Sequence, residues 1–214
     1  MEEAKRRALP VAALADAVDR LGLRSQTMRS EMRPVYVDSP VLGPAFTIQA
    51  VPTPTLTASP YEKELDAVDA IPAGAVVVFS TGGATEAGIW GELLSVRALA
   101  RGCAGAIVDG SVRDLRGMRS LRFPVFASGI HPSDSYGRAE VVSFGAPIVC
   151  SGVAVRPGDL VAADEDGVGV IPTEVAGECV AAAAEKVDKE LEAGRMLRDD
   201  GASIREMYAR HEIL

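Results

Sequence analysis

The sequence predicts an α/β fold, a layered β/β/α sandwich of the swivelling-domain type with C-terminal helices. Apolar strand-like runs alternate with helix-like segments between residues 75 and 127, which indicates a parallel βαβ core. Short strand-like pieces separated by glycines and prolines follow over residues 140–172, a pattern typical of antiparallel strands. Two charged amphipathic segments close the chain and predict a pair of helices.

The first third of the chain predicts two helices and two strands. A helix is expected over residues 10–22, because Pro10 suits a first turn and Gly22 a stop. The residues of its apolar face recur at helical spacing: Val11, Leu14, Val18 and Leu21. The remaining expectations are strands over 35–37 and 45–51, a turn at Gly43-Pro44, and a short helix over 62–70.

The middle of the chain predicts the buried core. The apolar run over residues 75–80 has the composition of a strand buried on both faces. A glycine-rich loop at Gly82-Gly83 then runs into a helix from about Gly88 to Ala100. A second buried strand over 104–108 is expected to end in a tight turn at Asp109-Gly110. A helix over 113–120 and a strand over 124–127 follow.

The C-terminal part predicts short strands and then long helices. The strands are expected over residues 140–144, 147–150, 153–155, 159–163 and 168–171, with a solvated acidic turn over 164–167. Thr173 is placed to cap a helix that runs to Ala193 and is closed by Gly194. A last helix spans 203–213. We expect a single domain over residues 1–214, with residues from about 173 to 214 forming a C-terminal helical arm.

Composition narrows the class of protein. With 214 residues, 48% of them hydrophobic, one domain with a sizeable core is the default. The formal charge of −8 disfavours nucleic acid as a partner, and no apolar run is long enough to cross a membrane. The charged N-terminus lacks a signal-peptide pattern, so a cytoplasmic protein is expected. The cysteines at 103, 150 and 179 form no CxxC pair and predict buried, reduced thiols.

Histidine and lysine are both scarce, which limits the kinds of catalytic site that the chain can form. The chain has two histidines, His131 and His211, which disfavours a zinc site built from several imidazoles. It has four lysines, and none lies between residues 64 and 185. A buried Schiff-base lysine is therefore not expected in the strand-rich core, although Lys63 stays open as a candidate.

The candidate site lies where the core strands end. In open α/β sheets the chemistry sits at the carboxyl ends of the strands, where both glycine-containing turns are expected to fall. The amides around Gly91–Leu94 suit an anionic or polarised oxygen. Arg113 suits a carboxylate, since its fork makes two parallel hydrogen bonds. Asp114, with Glu92 nearby, suits Mg²⁺ or Mn²⁺ through oxygen ligands and water.

The arrangement resembles a known family. Glu92, twenty intervening residues, and Arg113-Asp114 match the acidic-X20-Arg-Asp motif of the RraA-like class II pyruvate aldolases. That family includes 4-hydroxy-4-methyl-2-oxoglutarate aldolase/oxaloacetate decarboxylase and the ribonuclease E activity regulator RraA. The resemblance covers roughly residues 10–195. Further segments that resemble family signatures are Gly91-Glu92-Leu93-Leu94, Val108-Asp109-Gly110, Pro124-Val125-Phe126, Arg156-Pro157-Gly158-Asp159 and Asp164-Glu165-Asp166-Gly167-Val168.

The resemblance implies a role for each matched residue. Arg113 would bind the pyruvyl part of the substrate, and Asp114 would be the protein ligand to a divalent metal. Glu92, where some members have Asp, would act through water. A glutamate from the C-terminal helix of an adjacent subunit would complete the site in a homotrimer or dimer of trimers; Glu190 is the candidate, with Glu185 and Glu192 as rivals. The residues that would contact the substrate are Gly91, Glu92, Leu93, Leu94 and Arg113.

The implied activity is divalent-metal-dependent carbon–carbon cleavage. A 4-hydroxy-4-methyl-2-oxoglutarate-type 2-oxo acid would be cleaved to pyruvate, and oxaloacetate would be decarboxylated, both through a pyruvate enolate. The main alternative is a non-catalytic RraA-like binding protein that inhibits a ribonuclease. A phosphotransfer domain using His131 is a second rival. Methyltransferase chemistry is disfavoured, because no cofactor-binding glycine pattern with an acidic ribose partner occurs.

Overall fold

The structure is a computed structural model that describes residues 9–36, 40–199 and 201–211. The strands follow one another along the chain as β1 (Arg33–Pro34), β2 (Val41–Pro52), β3 (Val76–Ser80), β4 (Gly88–Trp90), β5 (Gly105–Val112), β6 (Val125–Ile130), β7 (Ala139–Phe144), β8 (Ile148–Cys150), β9 (Val153–Val155), β10 (Leu160–Asp164) and β11 (Gly167–Ile171). The helices are α1 (Val11–Arg20), α2 (Glu62–Asp69), α3 (Glu92–Ala100), α4 (Leu115–Leu121), α5 (Ala176–Asp199) and α6 (Ile204–His211), with a 3₁₀ turn over Thr173–Val175 before α5.

A mixed sheet forms the centre of the molecule. Within the described residues its main path runs β1-β6-β5-β3-β2-β10-β11, with β4 paired to β5 and β7 paired to β2. The pairs β2–β3, β3–β5 and β5–β6 are parallel, while β10 and β11 are antiparallel to their neighbours. The predicted parallel βαβ core is therefore confirmed, and α3 and α4 are its crossover helices.

The two faces of this sheet pack against different partners. Val77 and Phe79 of β3 point to a core shared with α2, α3 and α4. Val76 and Val78, which alternate with Val77 and Phe79 along β3, point to a second core shared with the β8–β9 hairpin. Side chains alternate between faces along a strand, so a run buried on both faces needs a cover on each. The result is the predicted β/β/α layering with C-terminal helices.

The terminal helices pack on each other. Leu14 and Val18 of α1 share a core with Cys179 and Ala183 of α5. The predicted end of α5 at Gly194 is wrong, because this helix continues to Asp199. Ala193 and Leu197 on its last turns pack against Met207 of α6. Burial of these side chains outweighs the helix penalty of one glycine, about 1 kcal/mol.

Three predicted turns or boundaries near the core are also wrong. Gly43-Pro44 lies inside β2, where a side chain at position 43 would strike the backbone oxygen of Gly74, so glycine there permits close packing of the chain. Residues 88–90 form a strand and not the first helical turn, because they pair with β5. Strand β5 does not turn at Asp109-Gly110 but continues to Val112.

The remaining sequence predictions fall close to the observed elements. The strand expected over 35–37 appears instead at Arg33–Pro34, and Val37 lies outside the described residues, as do residues 212–214 of the last predicted helix. The cysteines are free and buried, as predicted. The described residues include no helix with both the length and the apolarity needed to span a membrane.

Candidate active site at the carboxyl end of strand β5

Strand pairing brings the two halves of the acidic-X20-Arg-Asp motif together. Strand β4 runs parallel to the end of β5, with Trp90 opposite Val112, so the residues that follow both strands emerge side by side. The amide of Arg113 donates to the carbonyl of Trp90 at 2.9 Å. The twenty intervening residues are those of α3, its return loop and β5, which explains the spacing of the motif.

Asp114 is held in an uncommon backbone conformation beside Gly91. It precedes α4 with φ 59° and ψ 34°, in the left-handed region that L-residues seldom adopt. Its Oδ2 accepts a hydrogen bond from the amide of Glu92 at 3.3 Å. A Cβ at position 91 would lie 2.6 Å from the same oxygen, so glycine is needed there for this close approach. The Asp114 side chain is 46% exposed and stays open to a ligand.

Arg113 lies between two carboxylates. Its Nε is 3.8 Å from Oδ2 of Asp114, and one terminal nitrogen is 3.4 Å from Oδ1 of Asp134. Its side chain is 37% exposed and is therefore partly open to a ligand. Since the guanidinium carries five N–H donors, two carboxylate neighbours orient it and leave donors for a third anion.

Sequence reasoning missed three titratable residues that join this group. Tyr61 directly precedes α2, Glu64 lies in its first turn, and Asp134 comes from the loop after β6. The Tyr61 hydroxyl donates to Oδ2 of Asp134 at 2.5 Å. Tyr61 also has a left-handed backbone, with φ 67°. A non-glycine residue at positive φ is the signal for local constraint, but only the folded structure reveals it.

The environment moves the pKa values of these groups in opposite directions. Burial, reinforced by the hydrogen bond to Asp134, raises the pKa of Tyr61 to about 12. Burial works to raise the pKa of Asp134, but the Tyr61 hydrogen bond and the charge of Arg113 prevail and lower it. Asp134 is thus the fixed anion of the group, and Tyr61 a fixed hydrogen-bond donor at neutral pH.

Glu64 has the most unusual electrostatic position of the group. Its side chain is 8% exposed, and burial raises its pKa to about 7, with a further rise from Asp134 and an opposing effect from Arg113. The Glu64 carboxyl group can therefore accept or release a proton under physiological conditions.

These residues line one cavity of about 260 Å³. Its polar lining includes Tyr61, Glu64, Arg113, Asp114 and Asp134. Leu65 of α2 adds one apolar side chain to its wall. The rest of the apolar and backbone wall comes from β4 and the start of α3: Gly88, Ile89, Trp90, Gly91, Leu93 and Leu94. A charged cluster set against an apolar wall is the usual form of a small-ligand site.

Not every residue implicated by sequence lines this cavity. The Glu92 side chain packs over Gly117 of α4, and it is the amide of Glu92 that contacts Asp114. His131 accepts a hydrogen bond from the amide of Ser133 at 3.2 Å, within its own loop. Lys63 is exposed and donates to the carbonyl of Val142 at 2.9 Å.

The candidate glutamates of the C-terminal helices also lie elsewhere in this chain. Glu190 pairs with the buried Lys186 at 3.4 Å, and Lys186 also pairs with Asp16 of α1. The rivals are likewise paired, Glu185 with Lys189 at 2.7 Å and Glu192 with Arg210 at 3.9 Å. Within one chain, none of the three lines the cavity around Arg113.

The donor set fits a magnesium-like ion better than a metal held by many side chains. In the described part of the chain, no three His, Cys, Asp or Glu residues cluster in a way that would hold a metal. Asp114 instead offers a half-exposed carboxylate at the cavity. Mg²⁺ is commonly held by one or two carboxylates and several waters, so this sparse arrangement suits it.

Comparison with known proteins shows the family. The family model described as RraA-like, Aldolase/RraA, matches residues 11–170. A Halalkalibacterium halodurans protein named "Putative 4-hydroxy-4-methyl-2-oxoglutarate aldolase" is 36% identical over 167 residues, covering 78% of this chain and 74% of that protein. Protein DlpA of Legionella pneumophila is 31% identical over 169 residues, and the match spans 79% of this chain but only 27% of DlpA.

A solved structure agrees with this relationship. Streptomyces coelicolor RraAS2, described as an unusual member of the RNase ES inhibitor RraA protein family, superposes with a TM-score of 0.79 and 27% identity. The match covers 90% of this chain and 94% of RraAS2. The fold and the site define an α/β protein with an Arg-Asp pair at the end of a core strand. The chain belongs to the RraA-like family, in which aldolase names and ribonuclease-inhibitor names both occur.

Proposed function

We propose that this protein is a divalent-metal-dependent pyruvate aldolase that also decarboxylates oxaloacetate. The observation that carries the proposal is the placement of Arg113, Asp114 and the buried carboxyl of Glu64 around one cavity. The name of the Halalkalibacterium relative supports a lyase of this kind. A 2-oxo acid needs a group for its carboxylate, a Lewis acid for its carbonyl and a proton acceptor. The cavity offers Arg113 for the carboxylate, Asp114 to hold the metal that would polarise the carbonyl, and Glu64 as the proton acceptor.

Arg113 binds the carboxylate of the 2-oxo acid. Its guanidinium lies beside Asp114 and Asp134, and its partly exposed side chain lines the cavity. The apolar wall of Ile89, Trp90 and Leu94 excludes water from one side of the substrate. Charge–charge interactions are stronger where water is displaced, so the arginine also stabilises the negative charge that develops on the substrate.

Asp114 is the residue that would hold the divalent metal, with water molecules completing its coordination. When bound, Mg²⁺ or Mn²⁺ would supply a Lewis acid that polarises the 2-oxo group. The close approach at Gly91 and the hydrogen bond from the Glu92 amide fix the Asp114 carboxylate in place. A carboxylate fixed in this way needs little reorganisation as charge develops.

Glu64 accepts the proton that cleavage releases. In a 4-hydroxy-2-oxo acid the 4-hydroxyl proton passes to the Glu64 carboxylate, and the C3–C4 bond breaks. C4 becomes the carbonyl of the second product, while the electron pair leaves with C3 as the pyruvate enolate. The enolate then takes a proton at C3 to give pyruvate. In oxaloacetate the same bond releases carbon dioxide, and no hydroxyl proton has to be removed.

We also propose that a second copy of the chain completes the site in a homotrimer or a dimer of trimers. Leu93 is 82% exposed at the cavity mouth, and Val96 and Leu99 are exposed on the same helix, which supports an apolar contact there. Glu190 of a neighbouring copy is the candidate contribution. Light scattering on the purified protein would test the assembly, and a monomer with full activity would contradict it.

The second candidate function is a non-catalytic protein that inhibits a ribonuclease. The likeness to RraAS2 supports it, since the description of that protein names ribonuclease inhibition. Binding to a partner requires neither a metal nor a proton acceptor in the cavity. Metal-dependent turnover therefore separates the two candidates.

The test is pyruvate release measured by coupling to lactate dehydrogenase. Oxaloacetate and 4-hydroxy-4-methyl-2-oxoglutarate are compared, with Mg²⁺ and with chelator, and against the metal-only background. We expect metal-dependent turnover in the wild type, its loss in Arg113→Ala, and its retention in Arg119→Ala, which removes an exposed arginine from α4. Turnover that survives Arg113→Ala would contradict the proposed site, and absence of turnover with these and with other 4-hydroxy-2-oxo acids would favour the ribonuclease-inhibitor function.

A further inference from the structure

A larger cavity adjoins the candidate site. It measures about 360 Å³ and is bounded by the loop after β2, the start of α2 and the loop before β7. Tyr61 and Glu64 line both cavities, so these two residues form the wall where they meet. A substrate whose 2-oxo end lies at Arg113 and whose C4 lies near Glu64 would extend its remaining atoms into the larger cavity.

The loop that forms this cavity is fixed against its opposite wall. The Tyr61 and Tyr136 rings lie 6.3 Å apart, and the Tyr136 hydroxyl donates to the carbonyl of Thr57 at 3.4 Å. Leu56 packs so closely on Gly137 that a Cβ there would lie 2.6 Å from one of its methyl groups. These contacts fix the loop across the cavity that Glu64 also lines.

The lining is rich in hydroxyl groups. Thr53, Thr55, Thr57 and Ser59 contribute four aliphatic hydroxyls within seven residues of chain. A hydroxyl group both donates and accepts a hydrogen bond, so such a surface matches a ligand that carries several hydroxyls of its own.

The charge of the lining disfavours an anionic tail. The acidic residues are Glu62, Glu64, Asp66 and Glu140. Among the described residues that line this cavity, Lys63 is the cation, and its ammonium group already donates to the Val142 carbonyl. A second substrate carboxylate would face more negative than positive charge, whereas a neutral hydroxylated tail carries no such electrostatic cost.

We infer that the preferred substrate is a 2-oxo acid with a neutral polyhydroxylated tail, of the 3-deoxy sugar acid class, in place of a 2-oxo dicarboxylate. This inference rests on the proposed aldolase function. The 2-oxo carboxylate binds Arg113, the C4 hydroxyl lies at Glu64, and the hydroxyls beyond C4 bind the threonine-rich loop. The larger cavity is thus the subsite for the tail.

The reaction balances without a further reactant. In 2-dehydro-3-deoxygluconate the C4 hydroxyl loses its proton and the C3–C4 bond breaks. C4, C5 and C6 leave as glyceraldehyde. C3 keeps the bonding electrons and takes one proton, which gives pyruvate, so that no water, oxidant or reductant is consumed.

The experiment compares two substrates of equal length. 2-Dehydro-3-deoxygluconate, together with its C4 epimer, has a hydroxylated tail, and 4-hydroxy-2-oxoadipate has a tail carboxylate. Pyruvate release is measured for each with the full-length protein and Mg²⁺. We expect kcat/KM to favour the better sugar-acid epimer by about tenfold or more, the effect of one unfavourable charge contact in a partly exposed site.

A charge reversal in the tail subsite gives the matched variant. Glu140 is exposed on β7, so Glu140→Lys is expected to fold and to bring a cation to the cavity. It should lower the preference for the sugar acid about tenfold, chiefly through KM. The control is Glu165→Lys, which reverses an exposed charge in the β10–β11 turn outside both cavities and should leave the preference unchanged.

The outcomes separate this inference from the proposed function. Faster release of pyruvate from the dicarboxylate, or a preference that Glu140→Lys does not change, would overturn the inference while the aldolase function stands. Absence of pyruvate from every 2-oxo acid tested, with a folded protein, would overturn both. Release from the sugar acids at the expected ratio, shifted by Glu140→Lys alone, would establish the tail subsite.

Discussion

Two buried carboxyl groups of this protein have different surroundings. Asp109, in the middle of β5, is 2% exposed and accepts hydrogen bonds from the Ser80 hydroxyl at 3.1 Å, from the Ser151 amide at 3.1 Å and from the Thr81 amide. Glu64, at the start of α2, is 8% exposed, and no hydrogen bond to its side chain occurs within the described residues. Burial with donors is a structural arrangement, whereas burial without them leaves a carboxyl group ready to exchange a proton.

The comparison also shows where each carboxyl group acts. Asp109 ties the end of β3 and the β8–β9 turn to β5, so it holds two layers of the sandwich together. The Glu64 side chain links no secondary-structure elements in this way, and it lines the cavity that contains Arg113 and Asp114. The stability of the fold depends on the first group, and the proposed reaction depends on the second.

The largest effect on stability is expected at Asp109. Asp109→Ala leaves the Thr81 and Ser151 amides buried without their acceptor, which should lower the free energy of unfolding by about 3–5 kcal/mol. Chemical denaturation at pH 7 measures it. The control is Asp188→Ala, which removes a carboxyl group from α5 and should change stability by less than about 0.5 kcal/mol. A loss below about 1 kcal/mol at Asp109 would contradict its structural role.

Substitution of Glu64, unlike that of Asp109, is expected to raise the free energy of unfolding. Its pKa of about 7 in the folded state lies above the value of 4.5 for an ordinary glutamate. The folded state therefore binds the proton more tightly, and stability falls as pH rises between these values. Glu64→Gln removes this penalty, so it should raise the free energy of unfolding by about 3 kcal/mol at pH 8 and leave it nearly unchanged at pH 4.

Denaturation curves of Glu64→Gln and wild type at pH 4, 6 and 8 provide the measurement. The groups that act on Glu64 are Asp134, which favours its protonated form, and Arg113, which opposes this. A gain of equal size at all three pH values would show that the variant acts by packing and not by charge.

A smaller effect on stability, but a complete effect on turnover, is expected at Asp114. Asp114→Ala places alanine at φ 59°, which costs about 1 kcal/mol, and removes the carboxylate proposed to hold the metal. Asp114→Asn tolerates the left-handed backbone and should recover most of the stability without recovering metal-dependent turnover. Full activity in either folded variant would contradict the metal assignment.

The sequence predicted the layers of the fold because local patterns specify them. The apolar run that ends at Ser80 and the glycine after α3 are short-range signals, and they placed the βαβ core correctly. The predicted boundaries were wrong where contacts with residues distant in sequence outweighed the local sequence preference. At Gly43, for example, the nearby backbone of Gly74 requires a glycine inside a strand. Gly194 similarly lies within a helix that α6 stabilises.

The sequence predicted only half of the candidate site. Arg113 and Asp114 follow a predicted strand, so their location at its carboxyl end could be expected from topology. Tyr61, Glu64 and Asp134 carry no motif, and they approach Arg113 only after α2 and the loop following β6 pack on the sheet. Burial and the raised pKa of Glu64 are properties of that packing and have no counterpart in the local sequence.

The most direct test of this account is the pH dependence of aldol cleavage in wild type, Glu64→Gln and the exposed-residue control Glu178→Gln. We predict a break in kcat/KM near pH 7 for wild type and control. In Glu64→Gln the break should be absent and cleavage should be slower by about 10²-fold or more, while oxaloacetate decarboxylation, which removes no hydroxyl proton, should change much less. An unchanged break and rate in Glu64→Gln would show that the buried carboxyl group is not the proton acceptor.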